Sequence, residues 1–315
     1  MHKTNRFLLV FALSGVVFLE ACVTNPPDRA AVENLDSPPP VTAKAWAIAD
    51  GRTGELLWSQ NADETRKSAS TTKMMCACVI LELAAREPDV LEEWVVFSKL
   101  ADDTPGSTSD IAAGERLPVR ECLYGLLLPS GNDAGNALAE HFNHRFAPPD
   151  ETMKAAGLDN PAFATRANFI AEMNRTARRF GMTNTIYRSA YGDGGTPEDR
   201  TTSARDLTRL ACQAMQNVRF REYVSTPRYK GTVQTAGGAS RTIEWTNTNQ
   251  LLSLGAGYDG IKTGTTTQAG ACLVSSGRRG NDWLLVAVLG SESGYGRFVD
   301  TRNLFRWAWT QRGRR

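Results

Sequence analysis

The chain has 315 residues, of which 41% are hydrophobic and 22% are charged. This is the composition of an ordinary globular protein with enough apolar residues for a core, and it excludes disordered and fibrous classes. The 36 basic and 34 acidic residues nearly balance, so the chain lacks the strong positive charge of nucleic-acid-binding domains.

The N-terminal segment is predicted to be a secretory signal peptide over residues 1–21. Lys3 and Arg6 precede an apolar stretch that ends at Leu19 and is short for a membrane span. The sequence Leu19-Glu20-Ala21-Cys22 resembles a bacterial lipoprotein processing box, with Cys22 as the lipidated residue. An ordinary cleaved signal and a retained anchor are the alternatives. All three export the domain, so we expect it in the periplasm or on the outer face of the membrane.

Residues 22–42 contain two proline clusters and few apolar side chains, which predicts an exposed linker. The folded domain is predicted to span residues 43–315. It opens with a hairpin, because the strand-like segments 45–49 and 55–59 flank a glycine-containing turn.

The motif Ser70-Thr71-Thr72-Lys73 stands where a polar segment gives way to the apolar run 74–81. This pattern predicts a buried helix that begins at or near Ser70. Ser70 and Lys73 are three residues apart, so their side chains share one face of that helix. A lysine in an apolar, cation-rich pocket loses its proton more readily and can then be the base that a serine nucleophile needs. The alternative is that Ser70 only caps the helix and Lys73 lies on the surface, since such a helix would show the same sequence pattern.

The middle of the chain has the periodicity of helices. The predicted helices cover residues 120–128, 134–142, 167–180 and 204–215. Between the first two, Ser130-Gly131-Asn132 forms a tight polar turn that can present a hydroxyl and a carboxamide to a cleft. A helix–turn–helix corner that uses these residues for their turn chemistry is the alternative.

Strand patterns return towards the C-terminus, over residues 231–235, 241–245, 269–276 and 283–289. The last two are joined by a short loop, so we expect them to pair antiparallel. A closing amphipathic helix carries Phe298, Phe305 and Trp309 on one stripe, which we expect to pack on the sheet, and residues 312–315 are predicted to be a solvated tail. These elements predict an α+β domain, with an antiparallel sheet completed by both chain ends, flanking helices and a mainly helical middle subdomain.

The motif Lys262-Thr263-Gly264-Thr265 lies in a threonine-rich strand with glycines on both sides. Glycines in a strand indicate that another backbone or a ligand approaches closely. A lysine together with two threonine hydroxyls suits a carboxylate ligand. An edge strand with a charged face is the alternative.

The remaining candidate residues indicate no metal or cofactor. The five cysteines after Cys22 lack the paired spacing of a zinc site, so we expect structural thiols, with any pairing left open, at Cys76, Cys78, Cys122, Cys212 and Cys272. His141 and His144 have no third ligand at a suitable spacing and are predicted to lie on a helix surface. The absence of a Gly-x-Ser-x-Gly elbow disfavours a Ser-His-Asp hydrolase.

The three motifs occur together in the order that marks class A β-lactamases and penicillin-binding proteins. The chain resembles the low-molecular-mass penicillin-binding proteins, which are serine D-alanyl-D-alanine carboxypeptidases of the β-lactamase/transpeptidase-like superfamily. The likeness covers residues 43–311. It includes the further stretches Phe180-Gly181-Met182-Thr183-Asn184-Thr185, Thr202-Ser203-Ala204-Arg205-Asp206-Leu207 and Asp259-Gly260-Ile261.

The resemblance implies an enzyme that removes the terminal D-alanine from peptidoglycan pentapeptide stems without a cofactor, and that penicillins acylate. Ser70 is then the nucleophile, Lys73 its base and Ser130 the proton donor to the leaving group. The expected substrate-binding residues are Asn132, Lys262, Thr263, Gly264, Thr265 and Arg297. The resemblance also implies an oxyanion hole formed by the backbone N–H groups of Ser70 and Thr265.

Two features depart from the family pattern. Residues 144–166 look like an insertion, and the β-rich C-terminal domain and membrane tail of many relatives are expected to be missing, with a lipid at Cys22 replacing that attachment. A β-lactamase, a DD-endopeptidase and a non-catalytic wall-binding protein are alternatives on the same fold. Class A β-lactamases need a further Glu-x-x-x-Asn motif, and Glu151 in the insertion lacks the matching asparagine.

Overall fold

The computed structural model describes residues 36–158, 160–192, 202–255 and 257–313. The predicted signal peptide, the candidate lipidation site Cys22 and most of the predicted linker lie outside these residues, as do Arg314 and Arg315. Within the described part of the chain, no helix is both long and apolar enough to span a bilayer.

The described strands form two antiparallel sheets. In chain order the strands are β1 (Ala45–Asp50), β2 (Leu56–Gln60), β3 (Trp94–Val96), β4 (Arg116–Pro118), β5 (Arg228–Gln234), β6 (Ser240–Thr246), β7 (Tyr258–Thr266), β8 (Gly270–Arg279) and β9 (Asp282–Ser291). The larger sheet has the order β2-β1-β9-β8-β7. The first hairpin therefore pairs with the last strand, which confirms that segments near both chain ends complete this sheet.

Helices lie on both faces of the larger sheet. Most of them come from the middle of the chain, and the last one closes the domain. They are α1 (Lys73–Arg86), α2 (Lys99–Asp102), α3 (Val119–Leu127), α4 (Asn132–Phe142), α5 (Glu151–Met153), α6 (Ala167–Arg179), α7 (Ala204–Ala214), α8 (Val218–Ser225) and α9 (Gly296–Gly313). The four helices predicted in the middle of the sequence correspond to α3, α4, α6 and α7. The predicted α+β class is therefore confirmed.

The strands of the larger sheet bury side chains on both faces because each face is covered by helices. In β1, Trp46 and Ile48 belong to the core layer beneath α9, whereas Ala47 belongs to the layer shared with α1 and α7. The predicted aromatic stripe of α9 is buried in the first layer, at Phe298, Phe305 and Trp309. Its packing on the sheet is thus confirmed.

The smaller sheet, in the order β3-β4-β5-β6, was not expected as a separate unit. The sequence predicted β5 and β6 as strands but placed them with the other late strands. Strand β5 pairs instead with β4, through Arg116 and Gln234, and β6 pairs with β5. Strands β3 and β4 have three residues each, which is too short for an alternating pattern to be visible in the sequence.

Side-chain contacts tie both ends of the folded domain to neighbouring elements, the N-terminal end to α9 and the C-terminal end to the larger sheet. Thr42, at the end of the predicted linker, donates its backbone N–H and its hydroxyl to the carboxylate of Asp300, at 2.9 and 2.8 Å. The prediction of a solvated tail is wrong for Arg312. Its guanidinium pairs with Asp50 at 2.7 Å and Asp282 at 2.9 Å, because α9 continues far enough to reach both strand ends.

The described residues between 144 and 166 include several short helical turns, and the segment packs on α6. Arg178 pairs with Asp150 at 2.7 Å, and Arg175 donates to the carbonyl of Ala147 at 2.9 Å. Met153 and Leu158 are buried beneath these turns. The segment is therefore part of the domain's packed structure.

The five cysteines in the described residues are buried and carry free thiols, at Cys76, Cys78, Cys122, Cys212 and Cys272. Burial raises the pKa of Cys76 to about 12 and that of Cys78 to about 12. Their predicted structural role agrees with this burial, because a thiol that stays protonated is a poor nucleophile.

Candidate active site

Ser70 lies in a single 3-10 turn, Ala69–Thr72, that leads directly into α1. The hydroxyl of Thr71 donates to the carbonyl of Ser68 at 2.7 Å, and Ala69 has a φ of +46°. The predicted helix start is therefore correct to within one turn. The sharp turn places Ser70, which is 6% exposed, at the junction between the larger sheet and the helical subdomain.

Lys73 is fully buried, and its amine lies within hydrogen-bond distance of oxygen atoms from several segments. The Nζ atom lies 2.9 Å from the Ser70 hydroxyl, 2.7 Å from Oδ1 of Asn132 and 3.0 Å from the carbonyl oxygen of Tyr191. The two carbonyl-type oxygens can only accept. When the amine is neutral, its two N–H groups serve those acceptors and its lone pair faces the serine hydroxyl. The arrangement therefore suits a base that takes the proton of Ser70 without moving.

The Ser130 turn forms the opposite wall of the site. Ser130 has a φ of +71°, and its hydroxyl is buried without a hydrogen-bond partner in the described residues. Asn132 donates its side-chain amide to the carbonyl of Pro105 at 2.8 Å while its oxygen receives Lys73. An orphaned buried hydroxyl is unfavourable, so the oxygen of Ser130 is available to a bound ligand.

Asp133 holds this turn against the preceding loop. Its carboxylate accepts the backbone N–H of Ser109 at 2.8 Å, the hydroxyl of Ser109 at 2.9 Å and the hydroxyl of Thr108 at 2.8 Å. The residue is 1% exposed, so these bonds satisfy a buried charge. The loop that carries Pro105 is thereby fixed beside Asn132.

Strand β7 is an edge strand that packs directly on the Ser70 turn. A Cβ atom at Gly264 would lie 2.9 Å from the backbone nitrogen of Ser70 and 3.0 Å from Cβ of Ala69. Only glycine allows this approach, as the sequence predicted from the glycines in this strand. The backbone of Thr265 follows immediately, so the N–H groups of Ser70 and Thr265 lie on neighbouring segments.

Lys262 is buried in the same strand, and its amine donates to the carbonyl of Thr263 at 3.1 Å. Burial, with the nearby charges of Lys73 and Arg297, lowers the pKa of Lys262 well below its usual 10.5. Three cationic side chains thus share one region. Their mutual repulsion favours the loss of a proton from the group and favours binding of an anion.

Arg297, at the start of α9, reaches back to β7. It donates to the hydroxyl of Thr265 at 2.7 Å and to the carbonyl of Gly264 at 3.1 Å. The hydroxyl of Thr263 shares a hydrogen bond of 2.7 Å with that of Thr248. The sequence-predicted residues are therefore brought together around Ser70, from Lys73, Ser130 and Asn132 on one side to residues 262–265 and Arg297 on the other.

Sequence reasoning missed the segment 187–192, in which Tyr191 supplies the second carbonyl acceptor of Lys73. A Cβ atom at Gly192 would lie 1.9 Å from the carbonyl oxygen of Ala69, so the backbone at Gly192 packs tightly on the Ser70 turn. Asn174 anchors this segment, because it exchanges hydrogen bonds of 2.8 Å with the backbone of Tyr187. No sequence pattern marks Tyr191, since it acts through a backbone carbonyl.

The two histidines do not enter the site. His141 Nε2 lies 2.8 Å from a carboxylate oxygen of Glu93, and His144 lies in a short turn after α4. The described residues contain no cluster of acidic, cysteine or histidine side chains able to hold a metal ion.

A buried lysine beside a serine at the edge of an antiparallel sheet is the geometry of a serine acyl-transfer enzyme that uses lysine as its base. Comparison with family models matches residues 32–145 and 155–293 to the D-alanyl-D-alanine carboxypeptidases. The chain therefore belongs to this family. The unmatched residues 146–154 fall within the stretch that the sequence marked as an insertion.

Individual relatives agree with this assignment. The chain is 35% identical to a D-alanyl-D-alanine carboxypeptidase of Streptomyces sp. (strain K15), over 81% of this chain and 83% of that relative. It is 30% identical to the carboxypeptidase DacC of Escherichia coli, over 89% of this chain but only 64% of DacC. The match to the solved Streptomyces K15 DD-transpeptidase has a TM-score of 0.76 at 33% identity and covers 87% and 99% of the two chains. Penicillin-binding protein D2 of Listeria monocytogenes, solved with bound ampicillin, matches with a TM-score of 0.66 at 27% identity and coverage of 85% and 98%.

Gly264→Ala should slow acylation of Ser70 by penicillin by about 10²–10³-fold, because the added methyl pushes β7 away from the Ser70 backbone and opens the expected oxyanion hole. The rate is measured by intact-protein mass spectrometry. Gly237→Ala is the matched control, since a Cβ atom at Gly237 meets nothing within 4 Å. Equal acylation rates for both variants and the wild type would contradict this geometry.

Lys262→Met should change how stability depends on pH. Because the pKa of Lys262 is lowered on folding, the unfolded chain binds more protons between that lowered pKa and about 10.5, so wild-type stability rises with pH across this window. The variant should lack this rise and be the more stable protein below the window. Urea unfolding between pH 6 and 10 measures the free energy of unfolding of both proteins. Lys230→Met is the control, because Lys230 is an exposed lysine of β5. A wild-type rise that Lys262→Met leaves unchanged would refute the assignment to Lys262.

Proposed function

We propose that the protein is a serine DD-carboxypeptidase that removes the terminal D-alanine from peptidoglycan pentapeptide stems through an acyl-enzyme on Ser70, and that penicillins acylate the same serine. The observation that carries the proposal is the amine of Lys73, held 2.9 Å from the Ser70 hydroxyl by Asn132 and Tyr191. Family membership supplies the substrate class.

Acylation begins when Lys73 takes the hydroxyl proton of Ser70. The serine oxygen attacks the carbonyl carbon of the penultimate D-alanine, and the carbonyl oxygen becomes an oxyanion. The backbone N–H groups of Ser70 and Thr265 donate to this oxyanion. The close packing at Gly264 supports this role, because it keeps the two backbone segments adjacent.

The free carboxylate of the terminal D-alanine binds the cationic side of the site. Lys262 and Arg297 supply the positive field, and the hydroxyls of Thr263 and Thr265 donate to the carboxylate oxygens. The side-chain amide of Asn132, which lies beside Lys73, binds a backbone carbonyl of the stem peptide.

The leaving amine of D-alanine must gain a proton as the peptide bond breaks. Ser130 passes this proton, a role supported by its buried hydroxyl, which has no partner in the described residues. The proton that Ser70 gave to Lys73 returns by this route. Water then attacks the acyl-enzyme and releases the shortened stem.

A β-lactamase on the same fold would hydrolyse its penicillin adduct rapidly with the help of an added carboxylate. Glu151, the glutamate that the sequence offered for this role, lies on the surface with 89% of its side chain exposed and pairs with Lys154 at 2.6 Å. It is therefore unavailable to Ser70. This observation favours a carboxypeptidase with a long-lived penicillin adduct.

We further propose that the enzyme acts outside the cytoplasm, after export through the signal at residues 1–21, with Cys22 as a lipid anchor to the membrane. The sequence of the processing box supports this anchor. Labelling with a radioactive lipid precursor should mark the wild type, and Cys22→Ser should remove the label.

The purified protein should release D-alanine from a peptidoglycan pentapeptide, and Ser70→Ala should abolish both this release and labelling by a fluorescent penicillin. The wild-type penicillin adduct should persist on Ser70 for many minutes in mass spectra, because Glu151, the glutamate that the sequence offered for activating the deacylating water, lies on the surface. D-alanine is measured by a coupled oxidase assay, with the exposed-residue variant Val218→Ala as a control for handling.

Three outcomes would redirect this assignment. Rapid turnover of penicillin would indicate a β-lactamase. Release of D-alanine only together with a new peptide bond to an added amine would indicate a transpeptidase, the activity named for one structural relative. Labelling of Ser70 without any reaction of peptides would leave only a penicillin-binding protein.

A further inference from the structure

The inserted stretch 144–166 takes no part in the proposed reaction, yet helix α6 is bound to it. Arg178 of this helix pairs with Asp150 at 2.7 Å. The carboxylate of Asp150 also accepts the backbone N–H of Met153 at 2.9 Å, so the ion pair joins α6 to a closed turn. The inserted stretch therefore has a fixed position relative to α6.

A second element donates a hydrogen bond to the same stretch. It is the segment 187–192, which contains the Tyr191 carbonyl that accepts Lys73. Nε of Arg188 lies 3.1 Å from the carbonyl oxygen of Ala156, a partly buried residue of the inserted stretch. Only one short segment therefore separates the insertion from the amine beside the nucleophile.

This segment is also held at both of its ends. Asn174 of α6 exchanges two hydrogen bonds of 2.8 Å with the backbone of Tyr187. The turn that follows is closed by the backbone N–H of Gly192, which donates to the hydroxyl of Ser189 at 2.9 Å. Arg188 lies between these two fixed points, so its side chain can hold the turn against the inserted stretch.

Helix α4 contacts the same turn. A Cβ atom at Gly135 would lie 3.0 Å from Cβ of Tyr191 and 3.5 Å from the carbonyl oxygen of Ala190. Such close packing prevents the turn from moving towards α4, but it does not prevent the turn from moving away. Hydrogen bonds must supply the opposing restraint, and Arg188 supplies one of them.

We propose that Arg188 is a positioning residue for the acylation of Ser70, and that the inserted stretch is its support. The bond to Ala156 holds the turn so that the Tyr191 carbonyl stays 3.0 Å from Nζ of Lys73. A displaced carbonyl would let the amine rotate, and its lone pair would then face the serine hydroxyl for less of the time. The inference rests on the proposed function, in which Lys73 is the base. It gives the insertion an effect on the rate of acylation and none on substrate binding.

Arg188→Leu removes the donor and keeps an aliphatic side chain. The maximum rate of Ser70 acylation by penicillin should fall about three- to tenfold, as expected when one supporting hydrogen bond is lost. The penicillin concentration that gives half of this rate should not change. Both quantities are measured by intact-protein mass spectrometry after rapid mixing at a series of penicillin concentrations. Labelling should still reach one penicillin per chain, because unfolded protein would lower this fraction and not the rate.

Two further variants separate positioning from a general loss of packing. Arg188→Lys keeps a side-chain donor, so it should recover most of the lost rate. Arg228→Leu is the matched control, since Arg228 is an exposed arginine of β5 that pairs with Glu244, and it should react at the wild-type rate.

Asp150→Ala tests the support itself, because it removes the ion pair with Arg178 and opens the inserted turn. This variant should also slow acylation, and it provides the test if Arg188→Leu does not fold. The double variant should be no slower than the slower single variant, since both changes act through one support. Losses that multiply in the double variant would overturn the role of the insertion.

The outcomes separate this proposal from the proposed function. Wild-type acylation rates in both Arg188→Leu and Asp150→Ala would overturn the positioning role and leave the carboxypeptidase intact. A higher half-saturating penicillin concentration with an unchanged maximum rate would also overturn it, because Arg188 would then affect binding. A wild-type protein that neither forms a penicillin adduct on Ser70 nor releases D-alanine would overturn the proposed function as well.

Discussion

The active site depends on the position of one amine. Lys73 is fully buried, and the carbonyl oxygens of Asn132 and Tyr191 hold its nitrogen 2.9 Å from the Ser70 hydroxyl. These acceptors come from two segments of the helical subdomain, whereas Ser70 lies where that subdomain meets the sheet. A shift of either segment would turn the lone pair of a neutral Lys73 away from the serine. The packing of the surrounding loops is therefore part of the chemistry.

Two glycines make this packing possible. Gly264 lets the edge strand β7 touch the Ser70 turn from the sheet side, and Gly192 lets its own backbone touch the same turn from the helical side. A side chain at either position would collide with the backbone beside the nucleophile. The turn is thus fixed between two close contacts. Packing of this kind compensates for the unfavourable positive φ of Ala69.

Much of the fold and the site could be predicted from the sequence because their determinants are local. The apolar run after Lys73, the apolar late strands and the aromatic stripe of α9 are each visible within a short stretch of sequence. The catalytic side chains could be found through motifs that require particular residue types. The carbonyl of Tyr191 could not be found, since any residue supplies one. The smaller sheet was missed because its shortest strands show no period, and the ion pairs of Arg312 depend on strand ends far away in sequence.

The most direct test of the account is the rate at which penicillin acylates Ser70 in Lys73→Met, followed by intact-protein mass spectrometry. Methionine fills the buried space of the lysine chain but offers no base, so acylation should be about 10²–10⁴-fold slower than in the wild type. Lys230→Met, the same substitution at an exposed site, should react at the wild-type rate. A folded Lys73→Met protein that is acylated as fast as the wild type would contradict the central role of this amine.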